Sequence, residues 1–137
     1  MKNNFEELVK ILHICRSNCP WTSRQTIESY AKEAFSEAEE MVNAVEKKDH
    51  ENLKEELGDL LWDTLMIAHI AEQQGLFTVR EIMQSMVEKI KRRKPYLFEG
   101  RKVTIEEAGK IWKEVKAKEK LSLKEKQNDR ERSPNEG

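Results

Sequence analysis

The residues best suited to chemistry lie in "AFSEAEEMVNAVEKKDHENLKEELGDLLWD", residues 34 to 63, where acids recur at nearly every helical turn beside an unbroken apolar series. The chain holds three pairs of the form E-x-x-[DE]: Glu37/Glu40, Glu46/Asp49 and Glu56/Asp59. Each helical residue advances about 100°, so Glu37 and Glu40 fall at roughly -80° and -140° from the apolar stripe of their helix. Glu56 and Asp59 fall at roughly -60° and -120° from Leu53 on the next helix. Two antiparallel helices are related by a two-fold axis that preserves the side a residue occupies, so all four acids converge on one side of the hairpin. Glu40 with Glu56, and Glu37 with Asp59, are equidistant from position 48 in the "KKDH" turn and therefore level. Four carboxylates on two facing helices suit Mg²⁺ or Mn²⁺, hard cations that take oxygen ligands. Without a cation they would repel and raise one another's pKa values. The competing interpretation is a solvated helix face, and Glu33 with Asp63, a further level pair, fits solvation or outer support.

Other metal chemistries fit less well. A di-iron bundle uses Glu-x-x-His, and neither His13, His50 nor His69 stands three residues after a Glu. Cys15 and Cys19, with His13 nearby, lack the second pair that a tetrahedral zinc site needs, and read as two reduced thiols.

The elements that must carry these residues follow from periodicity. A first helix is expected from about Phe5 to Cys15, ending in "RSNCPW". A second, capped by Thr22 or Ser23, runs to about Lys47 on Ile27, Ala31, Ala34, Ala38, Met41 and Val45. The third carries Leu53, Leu57, Leu60, Leu61, Thr64, Ala68 and Ala71 and stops near Gly75. A fourth starts at the cap Thr78 and ends before Pro95. A fifth begins with Thr104 and Glu107 as a capping-box signature. From about Lys118 the chain is nearly all charge, expected to fray and to be disordered by its end.

The 137 residues, 37% hydrophobic, with only five Gly and three Pro, suit one all-α domain, a bundle of about four to five helices around the acidic hairpin. Residues 1–117 are assigned to that domain and residues 118–137 to a charged tail. A net charge of -1 argues against a nucleic-acid polymer as partner. No apolar run approaches the roughly 20 residues needed to span a bilayer, and the start "MKNNFEELVK" lacks the order of a secretory signal, so a cytoplasmic protein is expected. Trp62, Leu65, Ile67 and Ile70 spread around the third helix beyond one stripe, which predicts burial against a partner copy: a homodimer first, a homotetramer second.

"CPW…QT", E-x-x-E, E-L-G-D-L-L, "KIKRRKPYLF" and W-x-x-x-K, in this order from about Leu12 to Lys116, resemble the MazG family of all-α nucleoside triphosphate pyrophosphohydrolases. The resemblance implies a single MazG domain that hydrolyses (d)NTP to (d)NMP and pyrophosphate with Mg²⁺, in house-cleaning or nucleotide-pool control. It implies metal ligation by Glu37, Glu40, Glu56 and Asp59, the four residues the geometry also selects. It further implies phosphate contacts from Lys89 and Arg93, and contributions from Trp112 and Lys116. Glu37 or Glu40 is the expected general base, and Trp21, Trp112 or Tyr96 is the expected platform for the nucleobase. Ser36 stands where many members carry a further Glu, Thr22 where many carry Asp, and Tyr96 and Leu97 where many read His-Val. A nucleotide-binding regulatory module that keeps the cage with weak turnover is the alternative, and a plain dimerising bundle the third possibility.

Overall fold

The structure, a computed structural model, describes residues 1–132. Its order is α1 (Lys2–Asn18), a 3₁₀ turn (Thr22–Arg24), α2 (Ile27–Glu46), α3 (His50–Gln73), α4 (Val79–Arg93), a second 3₁₀ turn (Pro95–Leu97) and α5 (Ile105–Arg132). The all-α expectation holds. The chain divides into two compact units, Met1–Ile82 and Met83–Gly137.

In the first unit, α2 and α3 form the antiparallel hairpin. Thr26 starts α2 through a capping box, its hydroxyl accepting from the Ser29 N–H while Ser29 Oγ accepts from the Thr26 N–H. The expected cap at Thr22 or Ser23 is therefore corrected to Thr26. Thr22 and Ser23 are drawn into the 3₁₀ turn, which Arg16 pins from α1 by donating to the Thr22 carbonyl at 2.6 Å and the Gln25 carbonyl at 2.9 Å. Lys48, with φ 54°, takes the left-handed conformation that closes α2, and Asp49 caps α3 by accepting from the Asn52 N–H. This tight turn centred on Lys48 makes the register of the hairpin.

The core joins Leu12, Tyr30, Met66 and Ile70, with Ile27, Trp62, Leu65 and Ile67 packed against them. The four residues of α3 expected to await a partner copy thus pack inside this chain. Leu57 and Leu61, expected on the buried stripe, are instead 48% and 47% exposed. Helix α3 packs against both α1 and α2, so its buried arc is wide and displaced from the leucine stripe. Stacked rings of His13 and His69, 4.2 Å between centroids, and an Arg16 Nε–Gln73 hydrogen bond also tie α1 to α3.

The second unit contains the remainder of α4, the second 3₁₀ turn and α5. The cap of α4, where Thr78 and Glu81 bond reciprocally, belongs to the first unit, while Thr104 caps α5 in the second by accepting from the Glu107 N–H. Where fraying was expected from about Lys118, α5 continues as helix to Arg132. Its Lys, Glu, Arg and Gln residues are intrinsically good helix formers. The expected disordered end lies outside the described residues. No helix among the described residues is long and apolar enough to cross a membrane.

Candidate metal centre

The hairpin register sets α2 acids against α3 acids one turn at a time. Glu37, Glu56 and Asp59 each offer an oxygen, and these three atoms lie within 4.8 Å of one another. Glu40 is outside that trio, yet its charge raises both Glu37 and Glu56. Three of the four acids selected from the sequence therefore meet directly, and the fourth stands close enough to act on them.

Burial makes this more than a wet acidic face. Glu56 is 8% exposed, and Oε2 of Glu56 and Oε2 of Glu37 are buried without a hydrogen-bond donor. A buried charged group lacking a partner is costly. The Glu56 carboxyl is pushed up to about 7, first by its hydrogen-bonding contact with Glu37, then by burial and by Glu40. For Glu37 that shared hydrogen bond pulls downward, but burial and the charges of Glu40 and Asp59 outweigh it and leave the group raised. A cation would supply the missing positive charge, and the all-oxygen donor set suits a hard divalent ion. The residues present fit such an ion.

Asp63, one turn beyond Asp59, departs from solvation, one of the two roles expected of it, outer support being the other. It is 7% exposed and its Oδ2 has no donor, whereas its level partner Glu33 is exposed. Burial first, then Glu33 and Asp59, push it up to about 6. Its periodicity was visible in the sequence; its depth was not, because that depends on the wide buried arc of α3.

The remaining expected site residues divide between the units. Trp21, 58% exposed, belongs with the acids in the first unit and meets Tyr30 edge-on at 6.2 Å between centroids. In the second unit, Lys89, Arg93 and Lys116 line one groove of about 740 Å³ with Arg92, Lys118, Lys120 and Lys126. Arg93 stacks over Trp112 at 4.8 Å and donates to Glu119 at 2.8 Å, while Arg92 donates to the other Glu119 oxygen at 3.1 Å. The Arg93 hydrogen bond holds the Glu119 carboxyl below its usual range. Glu119 was missed in the sequence, since nothing local links it to residues more than twenty positions earlier. Tyr96 is buried, which removes it as an open platform for a base.

The pattern of the MazG nucleotide pyrophosphohydrolase domain matches residues 25–98, more than half of the chain. This chain belongs to the MazG family. A mazG-related protein from Thermotoga maritima, known from its crystal structure, matches with a TM-score of 0.76 and 42% identity over 82% of this chain and 98% of that one. A Thermotoga maritima protein named nucleoside triphosphate pyrophosphohydrolase/pyrophosphatase MazG is 36% identical over 118 residues, 85% of this chain and 45% of its own length. A nucleoside triphosphate pyrophosphohydrolase of Escherichia coli (strain K12) is 29% identical over 124 residues, 86% of this chain and 46% of its own. This MazG chain thus spans less than half the length of these two curated relatives. The segment matched by the family pattern includes the entire acid hairpin and ends at the "KIKRRKPYLF" stretch.

Proposed function

We propose that this chain is a Mg²⁺-dependent nucleoside triphosphate pyrophosphohydrolase, converting (d)NTP to (d)NMP and pyrophosphate in house-cleaning or control of nucleotide pools. The observation that carries this reading is the pair of buried, donor-less carboxylate oxygens on Glu37 and Glu56 beside Asp59. Family membership and the names of the relatives supply the substrate class.

Glu37, Glu40, Glu56 and Asp59 would hold the ion, with Mn²⁺ able to substitute for Mg²⁺. When bound, it supplies charge neutralisation at the phosphates and acidifies water. Glu37 or Glu40 takes the proton as water attacks the α-phosphorus, and the bond to the bridging oxygen breaks to release pyrophosphate. Lys89, Arg93 and Lys116 of the second unit have the chemistry to bind phosphate, the guanidinium by its planar fork and the lysines as point charges. Arg93 must exchange its Glu119 partner for phosphate to do so. Trp21 and Trp112 offer faces for the base, a contact that tolerates different bases.

A panel of NTPs and dNTPs, with Mg²⁺ and with chelator, tests the reading. Monophosphate and pyrophosphate in equal amounts, only with the cation, are expected. Release of orthophosphate, or binding of nucleotide with no product, overturns it; the latter outcome would indicate the regulatory module instead. Exposed Phe35, Val42, Leu57 and Leu61 on the hairpin support a homodimer or homotetramer, checked by light scattering.

A further inference from the structure

The acids of the hairpin do not stop at the trio. Glu33 and Asp63 are equidistant from Lys48, as are Glu37 with Asp59 and Glu40 with Glu56, so the three pairs form a ladder along one side of α2 and α3. Asp59 and Asp63 are four residues apart and share a helical face, as do Glu33 and Glu37. Asp59 therefore stands between the trio and the outer pair.

We propose that Asp63, Asp59 and Glu33 form a second divalent-cation position, adjacent to the one at Glu37, Glu56 and Asp59 and sharing Asp59 with it. This rests on reading the hairpin as a cation cage. The independent observation is the Asp63 side chain itself: more than nine-tenths buried, with Oδ2 lacking any donor, and facing the charges of Glu33 and Asp59. A hydrogen-bonded core aspartate would have a donor at that oxygen, and a solvated one would be exposed; Asp63 has neither. A hard, hydrated cation needs only one or two protein carboxylates and keeps its other positions for water or phosphate oxygen. Asp63 and Asp59 would supply those carboxylates from one helix, and Glu33, exposed and level with Asp63 on α2, would complete the set on turning toward them.

The test is uptake of Mn²⁺ by the metal-free full chain at pH 8, followed by electron paramagnetic resonance. Wild type should take up two ions, close enough to broaden each other's signal. Asp63→Asn, nearly the same shape, and Glu33→Gln, at an exposed position, should each weaken one ion by at least about tenfold and leave the other. Glu56→Gln should weaken the other ion and retain the Asp63-dependent one. Uptake of a single ion by wild type, sensitive to Glu56→Gln and indifferent to Asp63→Asn, overturns the second position while leaving the first intact. No uptake at all overturns both.

Discussion

The α2–α3 hairpin and the α4–α5 unit both concentrate charge, and they handle it in opposite ways. Along the hairpin, Glu37, Glu56 and Asp63 each bury one carboxylate oxygen that has no hydrogen-bond partner. Around the groove beside α5, Arg92 and Arg93 are already answered by Glu119, and Arg93 and Lys94 by the face of Trp112. On the proposed reading the first region takes its counter-charge from outside. In the second, both arginines share one carboxylate at rest, Arg93 Nε stays buried without an acceptor, and Arg93 must exchange its partner to take a phosphate. A charge cluster signals a ligand most strongly where the protein itself offers no counter-charge, not where charge is most abundant.

The largest effect expected from breaking this contrast is at Glu56. Metal-assisted catalysis is worth several kcal/mol, so Glu56→Gln should lower kcat by about a hundredfold or more. The same change removes like-charge repulsion, so in chelator the variant should melt above wild type; calorimetry checks the second effect and pyrophosphate release the first. Across the contrast, Arg93→Ala should raise KM by about tenfold or more with a smaller effect on kcat, since a charge-assisted hydrogen bond contributes about 1.5–3 kcal/mol. Steady-state kinetics over a range of nucleotide concentrations distinguishes the two parameters.

A pH series sharpens the comparison further. Glu56 and Asp63 bind protons more tightly folded than unfolded, with folded values of about 7 and about 6 against ordinary values of 4.5 and 3.8. Proton binding therefore favours the folded state, and the stability it supplies is lost as pH rises through that window. The metal-free chain should lose stability between about pH 4 and pH 7, and Mg²⁺ should restore it most at the alkaline end. Melting temperatures across that range, with and without Mg²⁺, measure both. At the small end, Glu51→Ala removes an exposed acid of the first turn of α3 that pairs with Lys54 on the surface, so it should shift stability by about 1 kcal/mol or less and leave kcat unchanged. Denaturant titration of that variant checks whether the solvated acids differ from the buried ones.

The convergence of the acids was legible because it depends on only two regularities, the helical repeat and the two-fold relation of an antiparallel pair. Both survive errors in the apolar stripe: Leu57 and Leu61 turned outward, and Glu56 still met Glu37. The start of α2 was not legible, because a side chain from α1, Arg16, decides where the preceding turn closes. The depth of Asp63, the Arg93–Glu119 pair and the His13–His69 stack likewise depend on contacts between distant segments, which no local spacing encodes. Helix α5 outran its expected end because propensity alone carried it where no apolar stripe marked a boundary.

If the buried acids of the hairpin await a cation, melting wild type and Glu56→Gln at pH 8, each in chelator and in Mg²⁺, will reveal it. A crossing is expected: Glu56→Gln the more stable in chelator, wild type the more stable in Mg²⁺. Parallel curves, with Mg²⁺ shifting neither protein or both equally, would contradict it.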